Sequence, residues 1–220
     1  MLANTDWDRV SKIWLFDDRS IDGTLEAVRE FAASAPVPAE IVSGTWDSPV
    51  DTMASFFART TSPLVAKIDN DVILPPGWLK ECVGLMARHP EVDLLGIEAG
   101  GQSSAGAAPF GAERVPDAAE SIGGIGVFRS SALALVLARS DLRCDRGQGK
   151  WFGWGTWQVR NHLRAAWVKP SLQVFLLDRM PMEPWRSLSD RYCQNGWQRK
   201  APYRYGPEWA GLWEWWLKAR

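Results

Sequence analysis

The 220-residue sequence has only two histidines and three cysteines, a net charge of −1, and no apolar run near the length of a membrane span. Each shortage excludes something. Cys82, Cys144 and Cys193 are scattered and odd in number, so they form no CxxC pair and no disulfide framework; a reducing cytoplasm is the compartment they suggest. With two histidines and no cysteine cluster, a zinc site has too few ligands. A near-neutral chain has no global basic field to recruit nucleic acid or an anionic membrane. The opening MLANTDWDRV lacks the apolar core of a signal peptide. No Gly-rich loop follows an early strand, which counts against a nucleotidyltransferase.

What is present is an ordinary globular composition, 46% hydrophobic and 23% charged, in one domain of ordinary size. The exception is tryptophan, with 14 residues gathered mostly in the second half. Tryptophan is enriched where an apolar face meets something polar, including sugar rings, although core packing accounts for most of these side chains.

The first half alternates short apolar runs with helical periodicity. Strands are expected at residues 12–16 (KIWLF), 41–42, 64–68 (LVAKI) and 92–97 (VDLLGI). Between them, Leu25, Val28 and Phe31 recur at helical spacing, Pro49 opens a helix carrying Val50, Met53 and Phe57, and Pro75-Pro76 opens another carrying Leu79, Cys82, Val83 and Met86. His89 before Pro90 suits that helix's C-terminus. Strand–helix alternation predicts an α/β domain with a mostly parallel sheet flanked by helices and ligands outside the carboxyl ends of its strands. Residues 99–121 read as a long loop; a helix is expected around 131–138, another running from the aromatic segment WFGWGTWQ to about Ala166, and a last strand at 172–177. Residues 1–175 form the expected main domain and 176–220 an aromatic and basic extension packed on it.

Two constellations carry chemistry. Residues 15–24 (LFDDRSIDGT) end a strand in carboxylates and turn into a helix N-terminus. Asp22-Gly23-Thr24 serve as turn and cap, whereas the adjacent Asp17 and Asp18 repel each other and call for a reason. A carboxylate at such a turn accepts hydrogen bonds from a base or ribose. Residues 67–79 (KIDNDVILPPGWL) place Asp69 and Asp71 one residue apart after a buried strand. Two carboxylates so placed make a hard-oxygen site for Mg2+ or Mn2+, ions that keep waters and share their shell with phosphates.

Taken together these segments resemble glycosyltransferase family 2. Residues 17–24 are similar to its DDxSxDGT signature, Asp69-Asn70-Asp71 to its DxD turn, and residues 123–133 (GGIGVFRSSAL) to its GG-x-x-x-F-R-R-x-A-L segment. The resemblance spans about residues 7–169 and implies a GT-A fold and transfer of a sugar from a nucleoside-diphosphate sugar, UDP favoured, to an acceptor hydroxyl on a glycan or lipid-linked molecule. It implies that Asp17 or Asp18 meets the base, with Ser20 beside them. Asp69 would lie near ribose and metal, and Asp71 would ligate the metal. Lys67 either adds charge near the phosphates or points away. Gly124, in the turn 123–126, would approach a sugar by its backbone, or serve simply as a turn.

The sequence departs from that pattern twice. The family's first strand is absent, the chain beginning near the helix expected to follow it at residues 2–10, which would leave an unfilled slot in the sheet. The acids that usually precede the late helix are replaced within residues 153–164 (GWGTWQVRNHLR). An inverting transfer needs a base for the acceptor hydroxyl, and Asp178, Glu183 and Asp145 are the candidates, each otherwise a surface or helix-capping acid. His162 is either a metal ligand or a surface residue. Trp154 and Trp157, with Trp151, would stack on a sugar ring or fill the core. Trp209, Trp213, Trp216 and Leu217 share a helical stripe, for peripheral membrane contact or for docking on the domain. The rival to an enzyme is a degenerate GT-A domain that binds nucleotide or glycan without turnover.

Overall fold

The computed structural model describes residues 4–46, 49–70, 72–97, 113–122, 125–132, 158, 162–170, 172 and 175–176. Strand β1 (Ile13–Asp17) leads through α1 (Thr24–Ser34) to β2 (Ala39–Ser43), and α2 (Pro49–Phe57) to β3 (Leu64–Lys67). The short β4 (Val72–Ile73) precedes α3 (Trp78–Arg88) and β5 (Leu94–Gly96); β6 (Val115–Ala119), β7 (Gly126–Arg129), β8 (Ala165–Lys169) and β9 (Phe175–Leu176) complete the order.

The α/β expectation holds, but the sheet is mixed. Its five strands run β3-β7-β5-β8-β6, and β7 lies antiparallel to both β3 and β5. β5 and β8 are its one parallel pair of neighbours, with β6 antiparallel at the edge. Strand direction leaves no mark on apolar periodicity, so the sequence could not show it.

Successive residues of the central strands enter opposite cores, as the two-residue pleat requires. Leu95, Val127 and Ala166 face α3 with Trp78, Cys82, Leu85 and Met86. Their neighbours Leu94, Phe128 and Ala165 face α2 with Met53 and Phe57. Burial pushes the Cys82 thiol far above its ordinary range, so it packs as a small apolar group.

Helix α3 begins at Trp78, after Gly77 in the left-handed region (φ 70°), rather than at Pro75-Pro76. Glycine has no side chain to cap the first turn, and Asp6 supplies the missing acceptor: Lys80 N–H donates to its Oδ2 at 3.0 Å. Trp78 Nε1 reaches Thr5 Oγ1 at 3.4 Å, and Asn4 Nδ2 donates to Leu74 O at 2.9 Å. The expected helix at 2–10 is, among the described residues, a single 3-10 turn at Trp7–Arg9, because the preceding residues are engaged with α3 instead.

Two further expectations change. Within the supposed loop, residues 115–119 form β6, an edge strand whose backbone pairs with β8 while its side chains, Pro116 and Asp117 among them, carry no apolar signal. The helix expected to reach Ala166 is replaced from Ala165 by β8, a central strand in which the two alanines are buried. Among the described residues the last strand is β9, which pairs with β4.

Strands β1 and β2 pair in parallel with each other and stand apart from the five-stranded sheet. Near their starts β1 and β3 nevertheless come close together. The hydroxyls of Ser11 and Ser62, just ahead of the two strands, lie 3.3 Å apart. A side-chain contact this close leaves less than the ~9.6 Å, twice the usual strand spacing, that an intervening strand occupies. Instead α2 bridges the halves: Phe56 packs edge-on to Trp14 and Phe16 at 6.4 and 6.2 Å between centroids.

Candidate nucleotide-sugar site

Both acidic turns lie at carboxyl ends of strands. Asp17 closes β1 and is only 4% exposed. Burying a carboxylate is costly without donors, and the Ser20 N–H supplies one to Asp17 Oδ1 at 3.2 Å. Arg19 makes that turn possible with a left-handed φ of 56°. Asp18 and Ser20 are exposed, and so is Ile21, completely. Asp22 has the structural role expected of it: its Oδ1 accepts Thr24 N–H at 3.2 Å and Thr24 Oγ1–H at 2.6 Å, with Gly23 at φ 83° leading into α1. Of the two adjacent acids, one is therefore drawn inward and the other left in solvent, which relieves their repulsion.

After β3, Lys67 and Asp69 form an ion pair. This settles the direction of Lys67: its side chain, 17% exposed, turns toward the acidic turn, while the Asp69 side chain stays 46% exposed. Asp71, the expected metal ligand, lies outside the described residues, as do Gly123, Gly124, Asp145, Trp151, Trp154, Trp157, Asp178, Glu183, Trp209, Trp213, Trp216 and Leu217. His162 is exposed, at φ 53°. No group of three His, Cys, Asp or Glu side chains among the described residues is placed to hold a metal by itself. An exposed Asp69 carboxylate nevertheless suits Mg2+ or Mn2+, which need only one or two protein carboxylates beside substrate phosphates and water.

Residues 2–108 match the family model for glycosyl transferase family 2, a span containing both acidic turns. The fold resembles residues 1–349 of S. aureus TarS at a TM-score of 0.57 and 14% identity, covering 96% of this chain and 71% of that one. The same protein in complex with UDP superposes at 0.52, again with 14% identity and coverage of 96% and 71%. The first half of the chain is thus similar to glycosyl transferase family 2, and the α/β fold with its mixed sheet is the one seen in GT-A glycosyltransferases. The mannosyltransferase PcManGT from Pyrobaculum calidifontis, in complex with GDP-Man and Mn2+, is 15% identical over 87% of this chain and 56% of that one, at a TM-score of 0.48. No curated protein matches the sequence.

Several well-anchored side chains were not singled out by sequence. Arg129, in the FRSSAL segment, caps α3 from a neighbouring strand: its Nε donates to Val92 O at 2.8 Å and its Nη2 to His89 O at 3.0 Å and to Met86 O. His89 ends α3 as expected, and its ring contacts Glu91 Oε1 at 2.9 Å. Arg114 donates from Nη1 to both Glu81 carboxylate oxygens at 3.0 and 3.1 Å, and from Nε to Pro170 O at 3.1 Å, joining α3 to the sheet. Gln158 is fully buried, with both amide atoms on the backbone of Ile122. The only sequence signal for it was a polar residue in an aromatic run.

Proposed function

We propose that this domain transfers a sugar from a nucleoside-diphosphate sugar, with UDP as the favoured nucleotide, to an acceptor hydroxyl on a glycan or lipid-linked molecule. The observation that carries the reading is that the family 2 match contains both acidic turns, at the carboxyl ends of β1 and β3. In this reading the buried Asp17 carboxylate accepts hydrogen bonds from the base and Asp18 and Ser20 border it. Asp69 and Asp71 would hold Mg2+ or Mn2+, which supplies positive charge against the leaving diphosphate. Lys67 would contribute its charge beside them, and Gly124 a backbone surface for the sugar. An inverting reaction would pass the acceptor proton to Asp178, Glu183 or Asp145, and Trp154 and Trp157 would stack on the sugar. A lipid-linked acceptor would suit the Trp209, Trp213 and Trp216 stripe at a cytoplasmic membrane surface.

The test is the melting temperature of the purified chain with Mn2+ and each of several nucleoside diphosphates, beside Asp69→Asn and Asp71→Ala. A nucleotide at about 100 times its dissociation constant adds ~2.7 kcal/mol, a rise of roughly 5–10 °C for a chain of this size. A rise that needs the metal and both aspartates supports the site, whereas a cooperative melt indifferent to every nucleotide overturns it. Sugar release from the matching donor then separates an enzyme from the degenerate binder.

A further inference from the structure

One row of residues crosses the five-stranded sheet next to the acidic turn. Lys67 of β3 pairs with Gly126 of β7, Gly126 with Gly96 of β5, and Gly96 with Trp167 of β8. The two-residue alternation puts this row on the α2 face, since Val65, Phe128, Leu94 and Ala165, each two residues away along its strand, all belong to that core. Two long side chains therefore flank two glycines, leaving a trough in the middle of the sheet.

Ile122 fills the trough. A Cβ at Gly96 would fall 2.7 Å from Ile122 Cβ and 2.7 Å from a Trp167 ring carbon; a Cβ at Gly126 would fall 2.8 Å from Ile122 Cδ1 and 2.6 Å from Leu95 O. The glycines are thus required by contact, and Ile122 is left 2% exposed.

Gln158 holds Ile122 there. Ile122 N–H donates to Gln158 Oε1 at 2.8 Å and Gln158 Nε2 donates to Ile122 O at 3.0 Å, as a neighbouring strand would. The amide is fully buried, so each of these four polar groups depends on its partner, and losing the side chain would strand both Ile122 groups without water. Ile125 O, farther along, accepts Ile97 N–H at 3.1 Å, which anchors the return into β7.

We propose that Gln158 is a positioning residue for the donor site, locking Ile122 over the Gly96–Gly126 pair so that Lys67 keeps its reach to Asp69. This rests on the nucleotide-sugar reading and adds a residue beyond the matched span. Gln158 is fully buried and acts by fixing the strand start beside Lys67.

The experiment is calorimetric titration of the full chain with UDP in the presence of Mn2+. Gln158→Leu is made in the native background and again with Lys67→Met. Gln158→Leu is expected to weaken binding about tenfold in the native background, the equivalent of ~1.4 kcal/mol. With Lys67→Met already in place it should weaken binding little further, because the two changes remove one interaction. Ile122→Val trims the methyl over Gly126 and should show the same dependence on Lys67 with a smaller loss, which serves if Gln158→Leu does not fold. Equal weakening with and without Lys67 would mean a merely structural role and overturn the proposal, as would unchanged binding in the native background. Failure of the unmutated chain to bind UDP or any other nucleoside diphosphate would remove the parent reading, and this one with it.

Discussion

At the level of single residues, polar side chains divide into those that tie the fold and those with capacity to spare. Asp93 is of the first kind. It accepts Arg164 Nε at 2.9 Å, Nη2 at 2.8 Å and the Arg164 backbone N–H at 3.0 Å. These hydrogen bonds, with the Arg164 charge, hold its carboxyl below the usual range despite partial burial. A depressed carboxyl stabilises the fold above its unfolded value of ~3.9 and loses that contribution as pH falls through the lower folded value. Asp93→Asn should therefore cost about 1 kcal/mol at pH 7, a modest figure because the guanidinium is largely in water. The gap between variant and native melting temperatures should close as the pH is taken below ~3.9. A gap independent of pH would show that shape, not charge, holds the contact. Asp69, by contrast, is paired with Lys67 but half in solvent, so an incoming cation or hydroxyl can still reach it. The two acidic turns were readable because carboxylates at strand ends have few structural uses. The aim of Lys67 was not readable, since a strand's face is set by its neighbours.

Secondary-structure elements were readable where a side-chain pattern makes them and hidden where pairing does. α2, α3, β3 and β5 announce themselves through buried faces, and their positions agree with the sequence to within a few residues. β6 and β8 do not: VPDAA is an edge held by backbone bonds, and the alanines of β8 fit a crowded sheet centre although alanine by itself favours helix. The cap of α3 was hidden for a related reason. Its acceptor, Asp6, is about seventy residues away from Lys80 in sequence, so no local motif reveals it. Asp6→Ala should lower stability by ~1 kcal/mol, the usual loss when an N-terminal cap is removed, as measured by urea denaturation. Asp6→Asn, which keeps an acceptor oxygen, should recover most of it. Equal losses in both variants would show that the segment docks through Thr5 and Asn4 and that the cap contributes little.

For the molecule as a whole, the consequence is an uneven distribution of stability. The five-stranded sheet lies between α2 and α3 with Leu94, Leu95, Val127 and Phe128 at or below 1% exposure. The lobe of β1, α1 and β2 has Asp17 as its sole fully buried residue; Leu25, Val28 and Phe31 of α1 are only partly covered, and two-strand pairing supports the rest. A two-stranded sheet is marginal by itself, and among the described residues the aromatic contact of Trp14 and Phe16 with Phe56 ties this one to the sheet through α2. Amide hydrogen exchange should therefore resolve two cooperative units, with β1 and β2 opening at a lower free energy than β5, β7 and β8. Phe56→Ala should widen that difference by speeding exchange in β1 and β2 more than in the central strands, whose α2-side core it also touches. Since Asp17 closes β1, nucleotide binding would have to order this lobe, and added UDP with Mn2+ should slow its exchange toward that of the core. Uniform protection across all the strands in the free chain would mean that the lobe and the sheet open together, and that the divided hydrogen bonding has no energetic counterpart.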